Sequence, residues 1–539
     1  MSTKFAFHAT NDPKKLKELY ELCGVEWGGG LTSSEFGDVE TQQHIDSLTK
    51  GRKIQGFYLE DKASGTLVAT TIISEIKGFV KPTDRTSSIS SIPDPSSIGL
   101  KPIKFLLIGF VVTHRDYRRQ GLAQLIVENA IKFTEEEIIA TKLHDSDTSK
   151  NDSFANMVTD QEGKVDGTLA NYYLGKEYMW ILYSGVGKFY ERFGFKGFPL
   201  EFFKIPLSSL SEQQEVLIEQ LLDETNKNNF RKRVRLLRGT NPDDQEIIKT
   251  ILQTKELTIV SELNKTIFHS ELQSTSKSSS SLTNMNDILA AAHEGRTPSL
   301  GSIVEDSNST ASKNQSGRRK SSVHHFAIPR IALKPDYDVI QWDVAIEKFT
   351  AHCSNNEQAV KYTDIQGLIL HNELQKKSYY IIWNTLMQRA LFIMGIGELQ
   401  SGFEFNPTSA PRSRSSSFSE LNELGGYNFQ DYDILLSAAC YVSKKRNIPG
   451  NNPVYVSIND LPNNIPTQVL YDYLLNFFPN SLTGSVSNNN STSTSKNTEN
   501  KIQIINDAEL GVLPMLRRFG DSSPEFEIDW SHSGMWSFG

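Results

Sequence analysis

Apolar positions along the first part of the chain switch repeatedly between strand-like and helix-like spacing. Thr3–Thr10 reads as a short strand, and Asp12–Val25 carries apolar residues at helical intervals. Ile54–Asp61 and Thr66–Val80 read as a hairpin across the turn residues Lys62–Gly65. A polar loop then leads to the most apolar strand of the chain, Ile103–Val112. A helix opens shortly after it, with Leu122, Leu125, Ile126, Ala130 and Ile131 as its apolar stripe. Glu177–Ser184 predicts a strand, Val186–Gly194 a helix, and Phe198–Leu207 a further strand. This order predicts a mixed α/β (α+β) domain built on one central sheet.

Composition changes abruptly near Glu271. Glu271–Asp287 and Ser302–His325 are rich in Ser, Asn, Thr and Lys, and bury too little apolar surface to offset the entropy of ordering them. The alternation then returns. Ser378–Asn384 and Gln388–Leu399 read as a hairpin, Asp431–Asn447 as a helix, Pro453–Asp460 as a strand and Gln468–Phe478 as a helix. The expected organisation is a first domain over 1–240, a helical and then low-complexity linker over 241–327, and a second α/β domain over 328–539. Polar tracts near 405–418 and 481–500 read as insertions in the second domain, and those near 81–101 and 144–164 as insertions in the first. The halves are alike in kind, without a residue-level repeat.

A length of 539 residues accommodates two to four domains, and 38% hydrophobic residues with a mean hydropathy of −0.39 fit packed domains joined by polar connectors. A formal charge of −8 without a long basic run disfavours a nucleic-acid binder. The basic run Phe230–Gly239 reads as a solvated face, and Arg318–Ser322 as linker that a basophilic kinase could read. Cys23, Cys353 and Cys440 form no CxxC pair, and an odd count suits a reducing compartment. The N-terminus has neither a signal-peptide h-region nor transit-peptide character, and no apolar run is long enough to cross a bilayer. The expectation is a cytoplasmic protein without nucleic-acid or membrane partners.

The chemistry concentrates at Arg118-Arg119-Gln120-Gly121-Leu122-Ala123, where the apolar strand gives way to the helix. The first N–H groups of a helix have no intrahelical partner, and with the positive end of the dipole they make an anion site. Gly121 permits a tight bend and close approach of a phosphate, Ala123 is small, and Arg118 and Arg119 can add charge-assisted bonds. The six-residue pattern has a chance of about 10⁻³ per position at average composition. Its weight therefore comes from its place between an apolar strand and an amphipathic helix. The same residues would also serve as a charged loop capping a core helix.

The strand, turn and helix over Ile108–Ile131 resemble the R/Q-x-x-G-x-G/A motif of the GNAT superfamily of acyl-CoA-dependent N-acetyltransferases. A second element, Y-x-x-x-G-F, is matched by Tyr190, Gly194 and Phe195. Within that superfamily the chain looks most like the fungal lysine N6-acetyltransferases of lysine catabolism. The features carrying this are Trp27–Leu31 (WGGGL), the run LYS…G-x-F-Y, and a long C-terminal part ending in tryptophan-rich sequence. The second domain lacks the glycine turn, so a degenerate GNAT-like domain without coenzyme is expected there.

The resemblance implies acetyl-CoA as co-substrate, no metal, and transfer of an acetyl group to a small-molecule amine, most simply the N6 amine of lysine. It implies backbone contacts to the coenzyme from Phe110, Val111 and Val112, which are also ordinary core-strand residues. Arg118, Arg119, Gln120, Gly121 and Ala123 would hold its pyrophosphate. Tyr190 matches the tyrosine that protonates the leaving thiolate, or else it packs in the core. Only about one lysine amine in 2,500 is neutral at pH 7, so the site must also remove a proton. No base is assigned. Glu75 faces either the acceptor or solvent, Trp27 shapes the acceptor pocket or plugs the core, and His114 with Asp116 reads as loop capping. A free amino acid would call for an Arg or Lys at its carboxylate, and none stands out. Protein or peptide amines are the alternative acceptors, and a non-catalytic GNAT-fold scaffold is the alternative class.

Overall fold

The computed structural model describes residues 4–82, 100–148, 153–160, 163–223, 232–264, 328–354, 356–386, 390–399, 423–424, 427–446, 453–483, 501–506, 510–532 and 534. The polar tracts within 83–99, 400–422 and 484–500, the linker over 265–327 and its Arg318–Ser322 motif lie outside the described residues. Met1–Asn264 and Pro329–Gly539 cluster into one compact unit.

Strand β1 (Phe5–Thr10) is followed by helices α1 (Pro13–Trp27) and α2 (Ser33–Thr49). Asp12 accepts from the Lys15 amide ahead of a proline, and Thr32 with Glu35 forms a complete capping box, so both helix starts are written in local sequence. Strands β2 (Ile54–Asp61), β3 (Thr66–Lys81) and β4 (Lys101–Thr113) form an antiparallel meander. Helices α3 (Leu122–Thr148), α4 (Ser153–Val158) and α5 (Gly167–Leu174) then lead to β5 (Tyr178–Ser184), which pairs with β4 in parallel. The expected helix after β5 is a 3₁₀ turn, Gly187–Phe193.

The remaining first-half elements are β6 (Lys196–Gly197), β7 (Glu201–Ile205), α6 (Glu212–Leu222), β8 (Lys232–Arg238) and α7 (Pro242–Asn264). Beyond the linker come β9 (Arg330–Leu333), α8 (Tyr337–Cys353), α9 (Glu357–Thr363), β10 (Ile365–Asn372), β11 (Lys377–Leu386) and β12 (Ala390–Leu399). They are followed by β13 (Glu423–Leu424), β14 (Tyr427–Asn428), α10 (Gln430–Lys445), β15 (Val454–Ser457), β16 (Gln503–Asn506), β17 (Leu513–Arg518) and β18 (Asp529–His532).

The first sheet has the order β1-β2-β3-β4-β5-β17-β6, with β9 and β18 attached beside the far end of β3. The second has the order β16-β7-β15-β12-β11-β10-β8. Each half contains a three-stranded antiparallel meander, β2–β4 or β10–β12, that continues through helix to a parallel strand, β5 or β15. Each sheet also borrows across the linker: β17 pairs with β5, and β7 pairs with β15. The strand Phe198–Leu207, read as part of the first sheet, thus completes the second. An edge strand is placed by whichever neighbour offers open N–H and C=O groups, and alternation of apolar residues carries no information about that choice.

One face of the first sheet packs Ile73, Leu106, Ile108 and Leu182 against Leu122, Ile126 and Val127 of α3. The opposite face is shared. Leu16 and Tyr20 of α1 cover Ile54 and Ile72, whereas Ile248, Ile251 and Leu252 of α7 cover Ile76, Phe105 and Leu107. Helix α7 also packs on Ile369, Ile382 and Phe392, so it lies within a core to which both sheets contribute.

Gly194 sits at φ +83 at the end of the 3₁₀ turn, and a Cβ there would stand 2.4 Å from the Ser522 carbonyl oxygen. Substitution by alanine combines left-handed strain with a backbone clash, so Gly194→Ala is expected to cost about 2–4 kcal/mol. Chemical denaturation checks this, and a loss below ~1 kcal/mol would show that the Ser522 segment moves aside freely.

Candidate active site

The site is built where β4 and β5 part. Their parallel ladder runs only from Lys104/Tyr178 to Ile108/Leu182, while β4 continues to Thr113 paired with β3 alone. At that point β4 bulges. Thr70 pairs with Val112 and Ile72 with Gly109, which leaves Phe110 and Val111 opposite Thr71. The Thr71 hydroxyl donates to the Gly109 carbonyl at 3.0 Å, and Phe110 adopts φ 52, an uncommon conformation for a bulky residue. Strain of this kind persists where surrounding packing holds it. Here Tyr20 and Trp27 of α1 hold the Phe110 ring, with centroids 5.2 and 6.1 Å away.

Beyond the bulge, ordinary strand alternation resumes. Val111 packs on the α3 side, whereas Val112 joins Cys23, Leu31 and Phe36 beneath α1 and α2. Cys23 directs its thiol toward the Phe110 carbonyl at 3.9 Å. Burial first, and then the charge of Glu40, push that thiol well above its ordinary pKa, so it keeps its proton and is no nucleophile.

Beyond β4, a 3₁₀ turn over Arg115–Tyr117 leads into the cationic segment. His114 accepts from the Asp116 amide and stacks edge-on against Tyr117, a loop-capping role. Arg119 at φ 66 and Gly121 at φ +76 make the bend. The Leu125 amide donates to the Gly121 carbonyl at 3.0 Å, so Gly121 caps α3 without a side chain of its own. The amides of Leu122, Ala123 and Gln124 therefore point out of the helix end. A Cβ on Gly121 would meet nothing within 4 Å, and Gln120 and Arg119 are exposed beside it. This open cradle of amides fits a diphosphate. Arg118 is held differently: it donates to Glu26 at 2.6 Å, and Arg115 donates to the same carboxylate at 3.1 Å. The Arg115 and Arg118 bonds hold the Glu26 carboxyl below its usual range.

Tyr190 lies on the 3₁₀ turn after β5, buried against Phe189, Phe193 and Phe195. Burial pushes its phenol up to about 12. Its hydroxyl makes no hydrogen bond among the described residues.

A pocket opens on the opposite face of the sheet from α3. Its walls are Ile54, Ile72, Ile76, Leu107, Gly109 and Phe110, with Ser47, Arg52, Lys53 and Ser74 as polar members and Val339 and Trp342 contributed by α8. Trp342 donates its indole N–H to Glu40 of α2 at 2.7 Å. Glu75 touches this pocket, but its carboxylate pairs with Lys104 at 3.0 Å, beside the Tyr178 ring. Along β3, Ile72 and Ile76 face the pocket while Ile73 faces α3, and strand alternation puts the Glu75 side chain with Ile73. Sequence reading passed over Arg52, Glu40 and Trp342. Arg52 stands in no motif, and nothing local links it to a helix that follows almost 300 residues later.

In the second sheet the same construction recurs at the parallel pair β12/β15. Ile382 pairs with Gly395 and Trp383 with Ile393, so Met394 bulges out. There Lys255 of α7, buried, donates to the Met394 carbonyl and pairs with buried Asp460. A protein side chain thus takes up the bulge carbonyl.

No protein-family model matches the chain, and no curated protein does. Among solved structures, a conserved Enterococcus faecalis protein of unknown function, described as a probable N-acyltransferase, matches at 10% identity and TM-score 0.32, over 84% of this chain and 65% of that one. The present chain thus spans just under two thirds of it. A GCN5-related N-acetyltransferase from Kribbella flavida matches at 9% identity and TM-score 0.32, over 95% and 72%. Saccharomyces cerevisiae N-myristoyltransferase with bound myristoyl-CoA matches at 10% identity and TM-score 0.31, over 85% and 77%.

Proposed function

We propose that the chain is an acyl-CoA-dependent N-acyltransferase of GNAT type, with acetyl-CoA as donor and the N6 amine of lysine as acceptor. The observation that carries the reading is the adjacency of the β4 bulge, the β4/β5 parting and the open Gly121 cradle on one strand-turn-helix unit.

Bound acetyl-CoA supplies an acyl thioester. The amides of Leu122, Ala123 and Gln124 receive its diphosphate, with Arg119 alongside. The ladder groups of β4 after Ile108, which β5 does not pair, offer hydrogen bonds to an amide arm laid in the parting, as a neighbouring strand would. The acceptor nitrogen, once neutral, bonds the acyl carbon as the C–S bond breaks. Tyr190, protonated at any pH below about 12, supplies the proton that the departing sulfur takes. The amine proton leaves to water, and no described side chain is assigned as base.

Tyr190→Phe is expected to lower kcat about 100-fold or more while leaving acetyl-CoA affinity within a few-fold. The wild-type kcat profile should show no alkaline limb from this residue below pH 11. Thiol release with lysine as acceptor, followed from pH 6 to 10, reads both quantities. Unchanged kcat in the variant removes the acid role, and absence of both coenzyme binding and thiol release in the wild type favours the non-catalytic scaffold.

A further inference from the structure

We infer that Arg52, together with Asp336 and Asp338 at the start of α8, reads the zwitterionic head of an α-amino acid whose side-chain amine is delivered to the Phe110 bulge. The inference rests on the acyltransferase reading and adds to it the residues that select the acceptor.

The pocket beside the bulge has two chemically different ends. At one end stand Gly109 and Phe110, where β4 leaves β5. At the other stands Arg52, in the connection between α2 and β2. Its guanidinium donates to Asp336 at 3.0 Å and lies 3.7 Å from Asp338. Between the ends the wall is apolar, formed by Ile54, Ile72, Leu107, Val339 and Trp342. Register gives the separation: Ile72 pairs with Gly109, and Ser74 pairs with Ile54, two residues short of Arg52. At about 3.3 Å per residue, the head-group end lies roughly 7–13 Å along the strands from the bulge. An amine on a short aliphatic stem spans such a distance once the reach of an arginine side chain is included.

Each end excludes other ligands. An arginine alone would favour any carboxylate, and two aspartates alone would favour a diamine. Side by side they are complementary to a carboxylate and an ammonium on one carbon. Guanidinium has five donors, so Arg52 can keep Asp336 while a second carboxylate binds. Asp338 also pairs with Lys50 at 3.3 Å, yet the Arg52 side chain retains 21% exposure and Asp338 retains 47%, so both remain reachable. A lysine within a peptide carries neither free head group, and the aliphatic wall suits its stem but leaves Arg52 unused. Asp336 is the N-cap of α8, which places half of the head-group site on the far side of the linker from Arg52.

The test measures thiol release at saturating acetyl-CoA with lysine, 6-aminohexanoate, cadaverine and a blocked lysine peptide, on wild type, Arg52→Ala and Arg52→Lys. Wild type is expected to favour lysine over cadaverine by about 100-fold or more in kcat/KM. Arg52→Ala should raise the KM for lysine about 100-fold with kcat within a few-fold, lower the KM for cadaverine by freeing the two aspartates, and keep the acetyl-CoA melting shift. Arg52→Lys should recover part of the loss. Equal use of lysine and cadaverine, preference for the peptide, or a lysine KM indifferent to Arg52 in a protein that still binds coenzyme would overturn the head-group assignment alone. Loss of coenzyme binding and turnover in the wild type would overturn the acyltransferase reading with it.

Discussion

Gly121→Val is expected to weaken acetyl-CoA binding about 100-fold while costing the folded protein only about 1–2 kcal/mol. The two effects separate because of where the new atoms go. Gly121 sits at φ +76, so any side chain there carries left-handed strain of about 1 kcal/mol or somewhat more when β-branched. The space around a Cβ is empty to 4 Å, so the fold itself has room. That same space is where an anion must lie to reach the amides of Leu122, Ala123 and Gln124, and filling it removes several charge-assisted bonds together. A 100-fold loss corresponds to ~2.7 kcal/mol of binding. Gly65 supplies the control. It too has positive φ, +67, with nothing near its Cβ, but it lies in the β2–β3 turn. Gly65→Val should cost similar stability and leave coenzyme affinity intact. The melting shift at saturating acetyl-CoA reports both, since a ligand selective for the folded state stabilises it. If Gly121→Val binds as tightly as Gly65→Val, no phosphate rests on this helix end.

Glu40→Gln is expected to stabilise the protein in alkaline solution and to make no difference in acid. Glu40 is buried with 1% exposure, and burial pushes its carboxyl up to about 8 despite the Trp342 indole bond that favours the anion. In the unfolded chain it titrates near 4.3. The folded form therefore keeps a proton that the unfolded form loses. Stability associated with that proton is fully present below about pH 4.5 and declines as pH rises toward 8, where the loss reaches ~5 kcal/mol. Glutamine retains an acceptor for Trp342 and has no proton to lose. The melting temperatures of variant and wild type should thus coincide near pH 4 and diverge steadily up to pH 8, then run parallel. His44, on the same helix, is pushed down to about 4 by burial and acts in the opposite direction, losing stability as pH falls below about 6.5. It is common to both proteins and cancels from the comparison. A difference that does not change with pH would mean that Glu40 is ionised in the fold. Because Trp342 lines the pocket, Glu40→Leu should additionally loosen its wall, with the effect expected in the acceptor KM.

The elements that local chemistry controls were legible in the chain. Asp12 before Pro13, the Thr32/Glu35 box, the Ile54–Val80 hairpin and the glycine at the end of the most apolar strand each act within a few residues. The nature of the segment after β5 was less so: Gly187–Phe193 is a seven-residue 3₁₀ helix, tighter than the α-helix its apolar spacing predicts, and it ends at Gly194 in the left-handed region. The role of Glu75 was legible only down to the strand. Its face follows from register, and its partner Lys104 lies on the neighbouring strand.

What the sequence determined by itself is the strands β1 to β5, helices α1 and α3, the β11–β12 hairpin, helix α10 and the Gly121 turn, because periodicity, caps and positive-φ glycines are properties of short segments. Tertiary structure alone decided three things: that β7 and β17 cross between sheets, that Lys255 takes up the second bulge carbonyl, and that Arg52 meets Asp336 beside a pocket closed by Trp342. The reason is physical. Open sheet edges, buried charges and pocket walls are satisfied by groups far along the chain, and their pairing is chosen by the free energy of the assembled core, which no local pattern encodes.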